Sequence, residues 1–360
     1  VSELHGSDVH TANKALLTPL RAALYDHDAD TVRQALNQTF APGAEVHLAY
    51  PFEDLEGAAG LYDEALGPLS EAWPDLERRD HIVMAGPDPD GENWVGCSGY
   101  YMGTFVRPWL DIPPTGRAVA MRFHEFYRVV DGAVVEMQAL WDLPEVMRQA
   151  GVWPMGPSLG REWQVPGPAT QDGLVPGPRD GARSEASAAH VVAMLVDMGR
   201  HPAEPVEAMN LERWWHPRMS WYGPSGIGTG RGISGFRRHH QIPFLKALPD
   251  RRGGYQGDAH FFGDGDYVGV TAWPGMAATV TGDGWLGLPP TGQAITMRSL
   301  DFWRVERSHL PTAGGDPDIT VGAERLLIRE NWVLVDLLHV WHQLGVDVLA
   351  RMRELGGTRG

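Results

Sequence analysis

Two aspartates stand at matching places in this 360-residue chain: Asp142 in "QALWDLPEVMRQAG" and Asp336 in "WVLVDLLHVWHQLG". Each ends an apolar run and opens a helical pattern. Two further acids, Glu125 in "RFHEFYRV" and Asp301 in "RSLDFWRV", lie within strand-like stretches. A carboxylate among Met, Phe, Leu and Trp side chains is poorly solvated. Its pKa rises, which suits it to carrying protons near neutral pH. Asp142 and Asp336 are therefore the candidate catalytic residues. Asp is also a favoured helix N-cap, so capping is the competing role for both.

Strands must position these acids. Asp131-Gly132 in "VVDGAV" predicts a two-residue type I′ hairpin with Val130 opposite Ala133. Continued without interruption, that register puts Met121, Phe123, Glu125, Tyr127, Glu136, Gln138, Leu140 and Asp142 on one face. The second copy offers Met297, Ser299, Asp301 and Trp303, with Glu330, Trp332, Leu334 and Asp336 as their expected face partners. From these strands the expected pocket set is Met121, Phe123, Glu125, Tyr127, Gln138, Asp301, Trp303 and Trp332. His81, Tyr101, His260 and Trp273 are further pocket candidates, the two histidines from the strand that follows each Pro-Asp turn.

The word "copy" is earned by "IPPTGRAVAMRFHEFYRV" from Ile112 and "LPPTGQAITMRSLDFWRV" from Leu288. The likeness extends upstream, "NWVGCSGYYMGTF" against "DYVGVTAWPGMAA", and downstream through both aspartates. This is duplication of a whole domain. The expected boundaries are 1–153 for the first domain, 154–186 for a Pro/Gly-rich linker, and 187–360 for the second domain, with an insertion near 306–326. Each copy reads as helices first and strands after, an α+β layout in which a curved antiparallel sheet wraps helices into a cone. Two such cone-shaped barrels in tandem form an internal pseudo-dimer, expected to pack sheet to sheet about a pseudo-twofold axis.

The formal net charge of -16 disfavours nucleic-acid and anionic-membrane partners. No apolar run reaches bilayer length, and the N-terminus lacks a secretory pattern, so a cytoplasmic location is expected. The lone cysteine, Cys97 in "WVGCSGYY", reads as a buried hydrophobe. Gly230-x-Gly232-x-x-Gly235 matches a dinucleotide fingerprint in letters only, since no βαβ context surrounds it. His339 and His342 lie at helical spacing with Asp336. The first copy has Glu145 and Arg148 there, so no metal site is expected. "RRHHQ", Arg237 to Gln241, reads as a solvated helix face.

With "PPTG", "EFYRVVDGAVVE" and the terminal "D…QAGV" in one copy, and "PPTG", "DFWRV", "RENW" and "VDLLHVWHQLGV" in the other, each half resembles the SnoaL-like polyketide cyclases of the nuclear transport factor two-like superfamily. The resemblance implies a cone-shaped α+β barrel. It also implies ring closure by intramolecular aldol condensation without a cofactor, on a polyketide-like or other small apolar carbonyl or ester substrate. A pocket aspartate would act as acid and base, at Asp142 and Asp336 here. Gly99-Tyr100-Tyr101 and Ala272-Trp273-Pro274 replace the Gly-Thr-His usual in the family, and Pro274 should interrupt its strand. The alternative from another class is a non-catalytic module that binds a small apolar or aromatic ligand, or a partner, on a duplicated scaffold.

Overall fold

The computed structural model describes residues 6–253, 259–309 and 322–356. The chain divides into two compact units: Val1–Gly156 with Pro166–Arg179 and Leu334–Gly360, and Pro157–Val165 with Asp180–Val333. These differ from the expected boundaries. The linker is shared between the units, and the last helices group with the first. The segment between them also ends sooner than expected, because Asp180 caps a helix over Gly181–Gly199 by accepting from the Arg183 amide at 3.1 Å. Residues 310–321 of the expected insertion lie outside the described residues.

The first unit opens with helices over Gly6–Leu16, Thr18–Tyr25 and Ala29–Thr39. Asp28 caps the third, accepting from the Thr31 amide at 2.9 Å. Strands β1 (Phe40–Leu48), β2 (Glu53–Glu56), β3 (Glu77–Pro87), β4 (Asn93–Thr104), β5 (Ala118–Val130) and β6 (Ala133–Trp141) form one sheet in the order β2-β1-β6-β5-β4-β3. Only β1 against β6 is parallel. The helical stretch Gly57–Ala72 joins β2 to β3.

The second unit repeats this plan. Strands β7 (Trp215–Tyr222), β8 (Thr229–Arg231), β9 (Arg252–Gly253), β10 (Ala259–Asp264), β11 (Tyr267–Ala272), β12 (Met276–Thr279), β13 (Ala294–Met297), β14 (Ser299–His309) and β15 (Glu324–Val335) follow in order. Six of them pair as β10-β11-β14-β15-β7-β8, the first unit's order with β7 and β8 in place of β1 and β2, and β15 against β7 is again parallel. The remaining three form a small separate sheet, β13-β12-β9. The expected break at Pro274 explains it. β11 stops at Ala272 and the chain resumes pairing only at Met276, because proline has no amide hydrogen for the ladder. Each unit is thus an α+β fold in which helices accompany one six-stranded mixed sheet.

The Asp131-Gly132 turn forms as read: both residues have positive φ, 50° and 75°, and Val130 pairs with Ala133. Beyond it the register slips. Val129 pairs with Val134 but Arg128 with Glu136, so Val135 is a bulge. One extra residue moves every later side chain of β6 to the other face. Glu125 therefore faces Ala139, and Phe123 faces Trp141. The expected face is corrected accordingly: Glu136, Gln138, Leu140 and Asp142 lie opposite to Glu125, with Arg122, His124 and Phe126.

Candidate functional site

The cone of the first unit is filled. Tyr101 and Phe123 (ring centroids 4.9 Å apart), Trp141, Trp109, Phe52 and Trp73 form a continuous aromatic cluster. Glu125 sits among them with 0% of its surface exposed. Arg78 donates to its Oε2 at 2.5 Å and the Tyr127 hydroxyl to the same oxygen at 2.6 Å. Tyr101 and the Trp141 indole donate to Oε1 at 3.0 and 3.1 Å. Arg78 also donates to Asp80, which accepts from Arg21 at 2.8 Å. Burial alone would push the Asp80 carboxyl up, but the two guanidiniums override it and hold it below the ordinary carboxylate range. Burial, then the charge on Glu125, push the Tyr101 and Tyr127 hydroxyls well up. With four donors on its two oxygens and none of its surface exposed, this carboxylate is fully engaged by the protein's own groups. Phe123, Glu125 and Tyr127, expected on one face, do share this inner face, and Tyr101 joins them there; sequence reading missed Arg78. The signal was available: alternation through "ERRD" turns Arg78 inward, where a buried acid needs a cation.

Asp142 and Asp336 are brought together at one narrow cleft with Tyr50, Leu143, Pro144 and Leu337. Its volume, about 10 Å³, is no more than one water requires. Both side chains are buried. Asp336 caps the helix Leu337–Gln343, accepting from the His339 amide at 3.2 Å and from the Tyr50 amide at 2.9 Å. Asp142 precedes the matching helix Leu143–Gln149 and lies 3.8 Å from the Arg122 guanidinium. Both helices close on a glycine in the left-handed region, Gly151 and Gly345, with Val152 and Val346 amides reaching back to Met147 and Trp341. The capping geometry is met by Asp336, whereas the Asp142 side chain makes no capping hydrogen bond, and the cleft that both line is too small for a substrate.

Other expected pocket residues lie apart from Glu125 and from Asp301. His81 lies against Tyr100, not Tyr101, and is covered by Gly167 and Gly173. His260 pairs with Thr271, next to Val270, which faces Asp301; the ring is on the other side of the sheet. Trp332 stacks near Tyr222 (5.4 Å), on the face of Arg304 and Glu330, whose side chains meet at 2.6 Å. Trp273 lies under the Arg298 guanidinium at 4.5 Å. Asp301 and Trp303 do share a face. Asp301 is half-buried and accepts from Ser299 at 2.8 Å; Trp303 is buried.

The first unit carries a wider, more open groove of about 850 Å³ along Phe40–His47 and Asp54–Ala59, whereas the second unit has a cavity of about 330 Å³ lined by His239, His240, Trp285, Lys246, Asp283 and Leu159 among others. This volume falls at the lower end of small-ligand pockets. His240 stacks on Trp221 with ring centroids 4.0 Å apart and planes 10° off parallel. Phe236 and Phe244 flank it at 5.7 and 5.2 Å, and Trp285 meets Phe244 at 5.5 Å. Burial pushes the His240 imidazole down to about 3, so it is neutral at neutral pH. Among the described residues, the buried Nδ1 atoms of His239 and His240 have no hydrogen-bond partner. "RRHHQ" is therefore not the solvated face expected. The overlooked signal is the spacing Phe236, His240, Phe244: one aromatic row along a helix at intervals of four.

Trp285 owes its position to Gly284. A Cβ there would lie 2.0 Å from the Leu288 carbonyl oxygen, and φ is 80°. The loop turns so tightly that Trp285 and Leu288 bridge. Trp109 and Ile112 bridge identically in the first unit, where Trp109 plugs the cone. The glycines that resembled a dinucleotide fingerprint serve packing: a Cβ on Gly230 would meet the Phe236 backbone at 2.9 Å.

Residues 17–150 match the family model described as SnoaL-like polyketide cyclase. The first repeat is thus similar to that family, and the second carries the same sheet order. Among solved structures, one from Jannaschia sp. CCS1, named as a SnoaL-like polyketide cyclase, is 25% identical, covering 40% of this chain and 94% of its own, with a TM-score of 0.33. IdmH from Streptomyces antibioticus, named as a polyketide cyclase, is 23% identical over 39% of this chain and 98% of its own (TM-score 0.33). AclR from Streptomyces galilaeus, named as a hydroxylase, is 22% identical over 39% and 84% (TM-score 0.32). No curated protein matches the chain. Among the described residues, no helix is long and apolar enough to cross a membrane.

Proposed function

We propose that the second unit carries out cofactor-free proton transfer on a small carbonyl compound of polyketide type, in the cavity lined by His239, His240 and Trp285. The observation that carries this reading is the pair of imidazoles, His239 and His240, that line one cavity with Trp285 and whose enclosed Nδ1 atoms have no protein partner among the described residues. An imidazole is the side chain that gives and takes protons near neutrality. The His240 imidazole, held neutral by burial, donates a hydrogen bond to a substrate carbonyl without a charge of its own. His239 takes a proton from the carbon between two carbonyls. The enolate carbon then forms a bond to a second carbonyl carbon of the same molecule, and the resulting alkoxide takes back the proton from His239. Atoms balance, and no oxidant or metal enters. Catalysis is acid–base transfer plus the orientation of a folded chain between rings. The first unit, its cone filled and its acid sealed, serves as scaffold.

The test is turnover of aromatic polyketide methyl esters and 1,3-diketones, followed by absorbance. His239→Ala and His240→Ala should each lose about 10²–10⁴-fold in rate, while Asp142→Asn and Asp336→Asn should keep the wild-type rate per folded molecule. Wild-type rates in both histidine variants, or loss confined to the aspartate variants, sink the proposal. Tight binding without turnover across the panel favours the non-catalytic binding module instead.

A further inference from the structure

The segment that leads out of the first repeat does not merely connect. Pro157–Val165 packs as part of the second unit. Gly160 donates to the Ile227 carbonyl at 2.9 Å, and Arg161 exchanges two backbone hydrogen bonds with Thr229, at 3.0 and 2.9 Å. These bonds add a short antiparallel pairing to β8, which is the edge of its sheet. The Glu162 carboxylate accepts from Ser225 Oγ and the Gly226 amide, both at 2.8 Å, and from Ser158 Oγ. The Trp163 indole donates to Thr229 Oγ1 at 2.9 Å. Gly160 and Gly228 lie backbone to backbone; a Cβ on Gly160 would be 2.6 Å from the Gly228 carbonyl carbon. The segment is fixed on both sides of Leu159, and Leu159 itself, 56% exposed, has no core to fill. Its side chain and Pro157 line the His240 cavity.

We infer that Pro157 and Leu159 form a wall of this cavity supplied by the connecting segment, and that Leu159 sets the length of flat ring system the cavity accepts. The inference rests on the reading of that cavity as the ligand site. Its physical content is simple. Ile227, Pro243, Trp285 and the imidazoles line other sides, and the exposed end of Leu159 is an adjustable part of the boundary. Shortening it lengthens the slot at little cost to folding, because the residue is mostly outside the core.

Binding to the full chain, read by tryptophan quenching, decides the matter with two probes: 2-hydroxy-1,4-naphthoquinone, with two rings, and 1,8-dihydroxyanthraquinone, with three. Wild type should prefer the two-ring probe. Leu159→Ala should shift the affinity ratio about tenfold toward the three-ring probe, and Leu159→Phe should shift it the opposite way. Trp285→Ala should weaken both probes in every background. Ratios unchanged in both Leu159 variants, with binding still dependent on Trp285, overturn the wall and leave the cavity reading intact. No binding by wild type, or binding indifferent to Trp285→Ala, overturns the cavity reading and the wall with it.

Discussion

Replacing Arg78 by methionine tests whether the first unit's cone is a sealed core. Methionine keeps much of the apolar stem and removes the guanidinium. Glu125 then loses its only cation among the hydrogen bonds drawn above, while Tyr101, Tyr127 and Trp141 still donate to it. Asp80 keeps Arg21. An unpaired charge enclosed among aromatic rings is the dominant cost, and breaking one side of a buried pair is worth about 3–5 kcal/mol. Glu125→Gln is milder: the amide oxygen still accepts from the hydroxyls, and Arg78 retains Asp80, so about 1–3 kcal/mol is expected. Combining the two removes both charges. The double variant should therefore be more stable than the sum predicts, by about 2–3 kcal/mol of coupling. Urea unfolding of the full chain measures the energies, and hydrogen exchange of peptides from β3, β4 and β5 assigns them to the first unit. If Arg78→Met costs under about 1 kcal/mol, or the double variant costs the full sum, water reaches Glu125 and the cone is a working pocket after all.

Acid should weaken the fold through two histidines. Burial, aided by Arg179 and Lys14, pushes His10 down to about 4, and burial pushes His240 down to about 3. The unfolded chain then binds more protons than the folded one. Stability is complete above about pH 6.5 and falls as pH drops toward those values, by about 2 kcal/mol for each histidine at pH 5; His10→Asn and His240→Gln should each flatten the pH profile of urea midpoints by one such share. Asp336→Ala removes the acceptor for the His339 and Tyr50 amides and should cost about 1–2 kcal/mol in the same assay. Cys97 is fully buried and its thiol is pushed up to about 12 by burial, so a chromogenic disulfide reagent should label one thiol per chain in urea and none in buffer; brisk labelling of the native chain contradicts the closed sheet.

The sequence by itself determined the duplication, the α+β order of each copy, the Asp131-Gly132 hairpin and the break at Pro274. All of these are local, written in propensities, turn chemistry and the absence of a proline amide. Tertiary structure decided which face each acid occupies. The bulge at Val135 has no residue signature in "AVVEMQ", yet one uncounted residue moved Asp142 and Gln138 away from Glu125. It also decided where a cavity lies beside these turns. Trp109 and Trp285 occupy matching turns, but Trp109 completes a ring of aromatic side chains drawn from five segments, whereas Trp285 borders a space that a connecting segment finishes. Filling a volume depends on the summed bulk of side chains distant in sequence, and no single stretch of letters holds that sum.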